Sequence, residues 1–320
     1  YQVADGTEKN LKIIDIEIDE RPTGEISAGA GIGTTGGAVS FGVKENNWLG
    51  TGKSVEFQMD LDEESLSGVI SLNDPNYDYL GNSLNYFLKS ETNDKPDQGY
   101  ENTIVSAGLG TSFKQYKDIT ASIGSTFSFD DLRTLDTASE LLKKQSGEFS
   151  ELSLNYGFTF DKRNRAFMPT SGTISSFSQS LPVYADKSYI SNTFSHSTYK
   201  SLSEDIIGAG KLYVSTINGV GADNDVRLSK RKNLSGKRLR GFEKGKVGPT
   251  ENSDYIGGNY VSAINLSTNL PFVFSTVENI DFNYFIDAAN VWGVDYDSSI
   301  DDSGTLRSST GVGVDLLAPI

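Results

Sequence analysis

The alternation of apolar and polar residues with a period of two limits this chain more than anything else in it. In 151–161, ELSLNYGFTFD, Leu152, Leu154, Tyr156, Phe158 and Phe160 fall on one face, and Glu151, Ser153, Asn155, Gly157, Thr159 and Asp161 on the other. That is the side-chain period of a β-strand, and a helix cannot sort these residues into two faces. The pattern returns at 280–288, where Ile280, Phe282, Tyr284, Ile286 and Ala288 oppose Asp281, Asn283, Phe285 and Asp287, and at 119–129 through Ile119, Ala121, Ile123, Phe127 and Phe129. Fainter copies at 25–33, 36–45, 52–60, 65–73, 83–90, 101–112, 170–180, 188–199, 206–217, 257–269 and 306–316 bring the expected total to about fourteen strands after residue 23. Many approach the roughly 9–11 residues that a tilted membrane strand needs. Alternation by itself fits a soluble β-sandwich or β-helix as well as a membrane barrel, because a second sheet and a lipid tail cover an apolar face equally well.

The connections add a second signal. Compact turns expected at 46–51 (NNWLGT) and 113–118 (FKQYKD) interleave with longer polar loops at 91–100, 130–148, 218–256 and 293–305, as in barrels with short turns at one end and long loops at the other. Within 137–145, TASELLKKQ, Thr137 and Glu140 have capping-box spacing and Gly147 follows, which predicts a short helix on that loop. The opening segment 11–22, LKIIDIEIDERP, reads as the last strand of a preceding domain and a linker ending at Pro22, so the expected boundaries are 1–22 and 23–320. Tyr1 opens without the basic start and apolar core of a secretory signal, so the chain reads as a processed or excised piece.

Composition restricts the chemistry. A net charge of −15 leaves too few cations to neutralise a phosphate backbone, which argues against nucleic-acid binding. The chain has no cysteine and only one histidine, His196, expected in the lumen or at its rim; disulfides and multi-histidine metal sites are excluded. GIGTTG at 31–36 copies a dinucleotide fingerprint, but GAVSFGVKEN follows it as an alternating strand where that motif needs a helix. Asp295, Asp297, Asp301 and Asp302 lack EF-hand spacing and read as a solvated loop. No carboxylate pair stands out as an acid–base couple, so the expectation is a protein that is not an enzyme and needs no cofactor or metal.

The exception in this acidic chain is 230–246, KRKNLSGKRLRGFEKGK, which holds eight of its 28 basic residues. Three readings compete: a solvated loop, a patch for anionic lipid or nucleic acid, and a loop folded into a polar barrel interior against acids there.

KRLRGFEKGKVGP at 237–249 resembles the sixth-loop R-G-F/Y motif of the outer-membrane β-barrel assembly factors. Other stretches resemble that family in its own order: ENNWLGTG at 45–52 and LNDPNY at 72–77 its first turns, GFTFDKRNRAFMPTSGT at 157–173 its signature strand-turn-strand with Asp161, Arg165, Pro169 and Gly172, and IGGNYVSAINLSTNLPF at 256–272 and FIDAANVWG at 285–293 its late strands. The resemblance implies an antiparallel transmembrane β-barrel of sixteen strands, of which about fourteen are present, preceded at 1–22 by the end of a POTRA domain. It also implies a sixth loop that re-enters the lumen, where its arginine pairs with acids on the inner faces of the twelfth and thirteenth strands. By that likeness the motif is Leu239, Arg240, Gly241 and Phe242. The alternation puts Asp287 on the inward face and makes it the expected partner, while Ser267 stands inward where family members often carry a glutamate. Either Asp287 holds the arginine alone or a neighbour of Ser267 assists.

The family implies a function as well: insertion of other β-barrels into a bacterial outer membrane, or a mitochondrial or plastid one, through a seam beside the first strand. Gly29, Gly31 and Gly33 in GEISAGAGIG would suit a weakly held seam. Unfolded barrel clients, membrane lipid and accessory lipoproteins are the implied partners, with no nucleic acid. A related protein-secretion transporter is the alternative, and an ordinary porin-like channel, which lacks the R-G-F loop, is a more distant one.

Overall fold

The computed structural model describes residues 2–5, 12–17, 21–33, 36–221, 225–270 and 280–316. Fourteen strands form one antiparallel sheet in strict sequence order. They are β1 (Gly24–Gly33), β2 (Gly36–Glu45), β3 (Ser54–Asp62), β4 (Ser65–Asp74), β5 (Ser83–Lys95), β6 (Tyr100–Tyr116), β7 (Ile119–Thr134), β8 (Gly147–Asp161), β9 (Gly172–Ala185), β10 (Tyr189–Ser201), β11 (Ile207–Gly219), β12 (Tyr260–Asn269), β13 (Ile280–Trp292) and β14 (Arg307–Leu316). β1 and β14 do not pair with each other among the described residues, so the sheet is open there. Ahead of it, Gln2–Asp5 and Lys12–Asp15 make a separate antiparallel hairpin.

The distribution of burial decides between a sandwich and a membrane barrel. In a sandwich the apolar face of each strand is the buried one. Here the faces are reversed: on β8 Glu151, Ser153 and Gly157 are buried while Phe158 is 49% exposed, and on β13 Phe285 and Asp287 are buried between the exposed Tyr284 and Ile286. Leu88, Val105, Leu109, Phe127, Ile264 and Leu266 likewise face outward, whereas Asn93, Asn102, Asp130, Ser215 and Asn265 face inward. An apolar exterior around a polar interior is the solution for lipid outside and a solvated lumen within. No helix among the described residues is long and apolar enough to cross a membrane, and the strands supply the crossing instead.

Several local expectations need correction. β6, β7 and β8 have 17, 16 and 15 residues, so 113–116 and 130–134 are paired strand and the short connection after β6 is only 117–118. At about 3.3 Å per residue and a tilt near 45°, the longest of them climbs roughly 40 Å, well beyond the ~25 Å apolar band. Past that band the outward positions need not be apolar, so the alternation fades while the pairing goes on. β5 similarly continues through 91–95, into the stretch expected to be a loop. The loop helix is a single turn, Glu140–Lys143, capped by Ser139, whose Oγ accepts from the Leu142 N–H at 3.2 Å; Thr137 is not the cap, and Gly147 opens β8. His196 pairs across to the outward Leu212 and lies on the outer face, where its Nδ1 meets Ser175 Oγ at 2.8 Å. The glycine-rich 31–36 segment joins two paired strands and opens no helix.

The reversed faces give a direct test. Leu88→Arg, which sets a cation about midway up the outer face, should lower stability by ~2–4 kcal/mol in vesicles. Lys89→Arg, one residue on and paired inward with Glu91, should change it little. Denaturant unfolding in lipid measures both, and a harmless Leu88→Arg would contradict the assignment of faces.

Candidate functional site

The connection between β11 and β12 runs from residue 220 to 259. It contains a 3₁₀ turn at Leu228–Lys230 and a small hairpin pairing Thr250–Glu251 with Asp254–Tyr255. Asn252 and Ser253 between them have φ of 49° and 77°, the positive values that a tight two-residue hairpin turn requires. The loop folds back over the polar inner wall and brings apolar side chains with it. All three buried apolar clusters of the described residues contain loop residues: Leu228 and Ile256 with Tyr100, Leu132 and Leu142; Leu234, Leu239 and Val247 with Val261, Ala263, Ala289 and Val291; and Val226 with Tyr189 and Ile217.

Its tip is fixed by one carboxylate. Arg240 donates to Asp287 through Nε (2.8 Å to Oδ2), Nη2 (2.7 Å to Oδ1) and its backbone N–H (3.0 Å to Oδ2). This two-pronged guanidinium–carboxylate geometry fixes orientation as well as distance. The Asp287 side chain is 0% exposed and that of Arg240 30%. The Arg240 guanidinium carbon also lies 3.7 Å from the centre of the Phe285 ring, two residues along β13 on the same face, a favourable cation–π arrangement. Leu239 is buried beside the arginine and Phe242 packs on the same cluster. Gly241 has φ +85°, so the reversal after the arginine runs through a backbone conformation that side chains disfavour.

Asn265, rather than Ser267, completes the site. β12 and β13 pair with Asn265 opposite Asp287 and Ser267 opposite Phe285. Asn265 Nδ2 donates to Asp287 Oδ1 at 2.8 Å and to the Arg238 carbonyl at 2.8 Å, linking wall and loop. Ser267 shares the face one step further along the strand. Alternation alone could not select between them, since both have inward parity and the choice depends on register across 270–279.

Five of the other basic residues of the run also have partners outside it. Lys230 Nζ lies 2.7 Å from Glu151, Arg231 Nη2 2.7 Å from Asp295, Lys232 Nζ 2.8 Å from Ser191 Oγ, and Lys246 Nζ 3.0 Å from Asp97. The Arg238 guanidinium sits over the Tyr213 ring. Of the three readings of this run, the one folded into the interior is realised. Burial is the main influence on Lys232, holding its pKa below the ordinary lysine value, and the nearby Lys230 charge adds to it. Asp295 is not simply solvated: it also accepts the Val226 N–H at 2.7 Å and Asn259 Nδ2 at 3.1 Å, and so joins the base of the loop to the β13–β14 connection. A partner 64 residues away from Arg231 leaves no local signal in the sequence.

Asp161 ends β8 and binds Arg163 through that residue's N–H, Nε and Nη2 at 2.7–3.0 Å; Arg163 belongs to the turn and was not singled out. Arg165 Nε donates to the Met168 carbonyl at 2.6 Å, just before Pro169. Gly172 has φ +97° and a Cβ there would stand 2.1 Å from the Lys162 carbonyl oxygen, so only glycine closes this turn. On β1, a Cβ at Gly29 would meet only the Ser40 hydroxyl within 4 Å, and one at Gly31 nothing; Gly33 pairs with Gly36. Neither Gly29 nor Gly31 is required by a close backbone approach.

Residues 47–320 match the Omp85 superfamily domain. The outer membrane protein assembly factor BamA of Neorickettsia risticii is 24% identical over 318 residues, 94% of this chain and 42% of that protein. The sorting and assembly machinery component 50 homolog of Mus musculus is 25% identical over 280 residues, 83% of this chain and 58% of its own. The chain thus spans about half the length of these curated relatives. Among solved structures, BamA from Haemophilus ducreyi lacking POTRA domains 1–3 superimposes with a TM-score of 0.84 at 22% identity over all of this chain and 69% of that one. CdiB from Escherichia coli gives 0.56 at 13% identity, over 98% and 60%.

The pair at the tip should behave as one unit. Arg240→Ala leaves a buried carboxylate without its cation and should cost about 2 kcal/mol, at the low end for such pairs because the guanidinium is partly exposed. Arg240→Lys should recover less than half of that, lacking the second prong. Adding Asp287→Ala to Arg240→Ala should restore stability in part. Denaturant midpoints in lipid and tryptic cleavage after Lys237 report these effects, and unchanged values for Arg240→Ala would remove the pair from its structural role.

Proposed function

The chain belongs to the Omp85 superfamily, and from that premise we propose that it is the membrane part of a factor that inserts β-barrel proteins into a bacterial outer membrane. The observation that carries this reading is the basic loop held on the inner wall by Arg240 and Asp287, since a passive pore gains nothing from filling its own lumen with a dedicated ion pair. The bacterial assembly factor matches 94% of the chain and the animal homologue 83%, which favours the bacterial setting. The reading assigns no covalent reaction, cofactor or metal to the protein.

The work of insertion falls to β1. This strand pairs with β2 only, among the described residues, and its described side chains are exposed. A free strand edge presents a row of backbone donors and acceptors, which is a hazard in most proteins and here serves as a template for an incoming client strand. Gly29 and Gly31 contribute little side-chain packing to hold a competing strand, so a partner at this edge can be exchanged. Disturbed lipid beside the seam lowers the cost of entry. Accessory lipoproteins would deliver clients to it from the periplasmic side.

Reconstitution of the full-length protein in vesicles tests this. A urea-unfolded barrel client should reach its heat-modifiable folded form faster than in empty vesicles. A cysteine at Gly31, where a side chain fits, should form disulfides with cysteines along the client's terminal strand, whereas one at the outward Val105 should not. Transport of the client into the vesicle interior without membrane folding would instead indicate a secretion transporter.

A further inference from the structure

The outer face carries a hollow that neither the loop nor the seam uses. It lies on β10–β13 toward the 202–206 turn that joins β10 to β11, has a volume of about 390 Å³, and is lined by Thr198, Lys200, Leu202, Gly208, Gly210 and Leu266, with Tyr284 and Ile286 at its far edge. Register places these groups on one surface: Lys200 is opposite Gly208 and Thr198 opposite Gly210 on one side, while Thr268 and Leu266 flank the same glycines on the other. Leu266 and Ile286 are exposed, which fixes this surface as the outward one.

The two glycines make the hollow. At Gly210 a Cβ would rest in ordinary contact with Thr198 Cγ2 and Leu266 Cδ2, 3.4 and 3.6 Å away, and at Gly208 it would press on Leu202. Neither has a positive φ, so the backbone does not call for glycine, and the missing side chains leave a channel between taller apolar walls. Lys200, exposed and one residue from the end of β10, stands at the mouth. The turn that follows supplies Glu204 and Asp205 and no further cation, so selectivity here rests on one ammonium group.

An apolar trough with a single cation at the membrane–water boundary matches one kind of occupant. We propose that this hollow binds an anionic phospholipid of the periplasm-facing leaflet, one acyl chain lying over Gly208 and Gly210 and the headgroup phosphate paired with Lys200. This rests on the strands crossing the membrane. A larger hollow of about 570 Å³ elsewhere on the wall, lined by Ile70, Leu72, Leu88 and Phe127 among others, has no cation among its lining residues and so should accept acyl chains without regard to headgroup. Lysine snorkelling to the interface places its charge at phosphate depth while its methylene stem covers apolar surface. One such lysine near anionic lipid corresponds to about a five-fold preference.

The test uses the full-length protein in phosphatidylcholine vesicles, with a fluorophore on a cysteine at Thr268 or, as control, at Ile70. A minor fraction of brominated phosphatidylglycerol or brominated phosphatidylcholine serves as quencher. The expected result is that phosphatidylglycerol associates about five-fold more strongly at Thr268 and equally with phosphatidylcholine at Ile70. Lys200→Gln should abolish the preference at Thr268 and keep the quenching. Gly210→Leu, which fills the trough, should reduce quenching by both lipids. Equal quenching by the two lipids at Thr268 in the unaltered protein overturns the proposal, as does a preference that survives Lys200→Gln. Quenching at Ile70 but not at Thr268 also overturns it while leaving the membrane reading intact, and absence at both sites overturns the two together.

Discussion

The contact between the β11–β12 loop and the inner wall is the interaction on which the rest of this structure depends. A sheet with a polar inside and an apolar outside has no core of its own, because the face that would collapse in water is turned toward lipid. The loop supplies one. Val226, Leu228, Leu234, Leu239, Val247 and Ile256 carry the buried apolar clusters into a lumen that would otherwise be lined by serine, threonine and asparagine. The cations between those residues then have to be neutralised in a partly dry space, and Glu151 and Asp287 on the wall and Asp295 in the β13–β14 connection stand where they are needed. Asp287 is the most demanding of these. A fully buried carboxylate is costly unless its oxygens are satisfied, and this one accepts from Arg240 three times and from Asn265 once.

Much of this was legible because alternation is a local property. Fourteen segments of period two yielded fourteen strands, and the parity of Asp287 put it on the inward face beside the residue that binds it. Strand ends were less legible for a reason tied to the environment. Alternation is enforced only within the hydrocarbon band, and β6 and β7 carry their pairing beyond it into stretches such as SFDDLRT, whose polarity resembles a loop. Position along the chain was a poor guide to partners across it. Asn265 and Ser267 share one parity, and only the register against β13 distinguishes them. Asp295 looked like a member of an acidic surface loop because Arg231, which neutralises it, lies more than sixty residues away. Two features misled through local resemblance: Thr137 had capping-box spacing, but Ser139 caps the turn, and His196 was expected in the lumen or at its rim, although its strand parity turns it outward.

The outer surface has structure of its own. Much of it is apolar, but the troughs differ in whether a charge stands at the mouth, and small residues rather than polar ones shape them. Membrane proteins are often described by how they disturb the surrounding bilayer. The trough over Gly208 and Gly210 gives the wall a shape in which a single molecule of that bilayer would fit.

The bonds of the loop are unevenly distributed around the sheet. Those from its side chains and backbone to strand side chains include β7, β8, β10, β12 and β13, through Asp130, Glu151, Ser191, Asn265 and Asp287, and its packing adds β6 through Tyr100 and β11 through Tyr213 and Ile217. Among the described residues β1 to β4 are held mainly by backbone ladders and the side chains along them, with Lys244 of the loop near enough to attract Asp62 at the end of β3. In mechanical terms the wall is a stiff arc, cross-braced from within, continued by a compliant flap. Bending concentrates where bracing thins, so a force on the first strand would fall mainly on the lightly braced first strands before it reached the arc that grips Arg240.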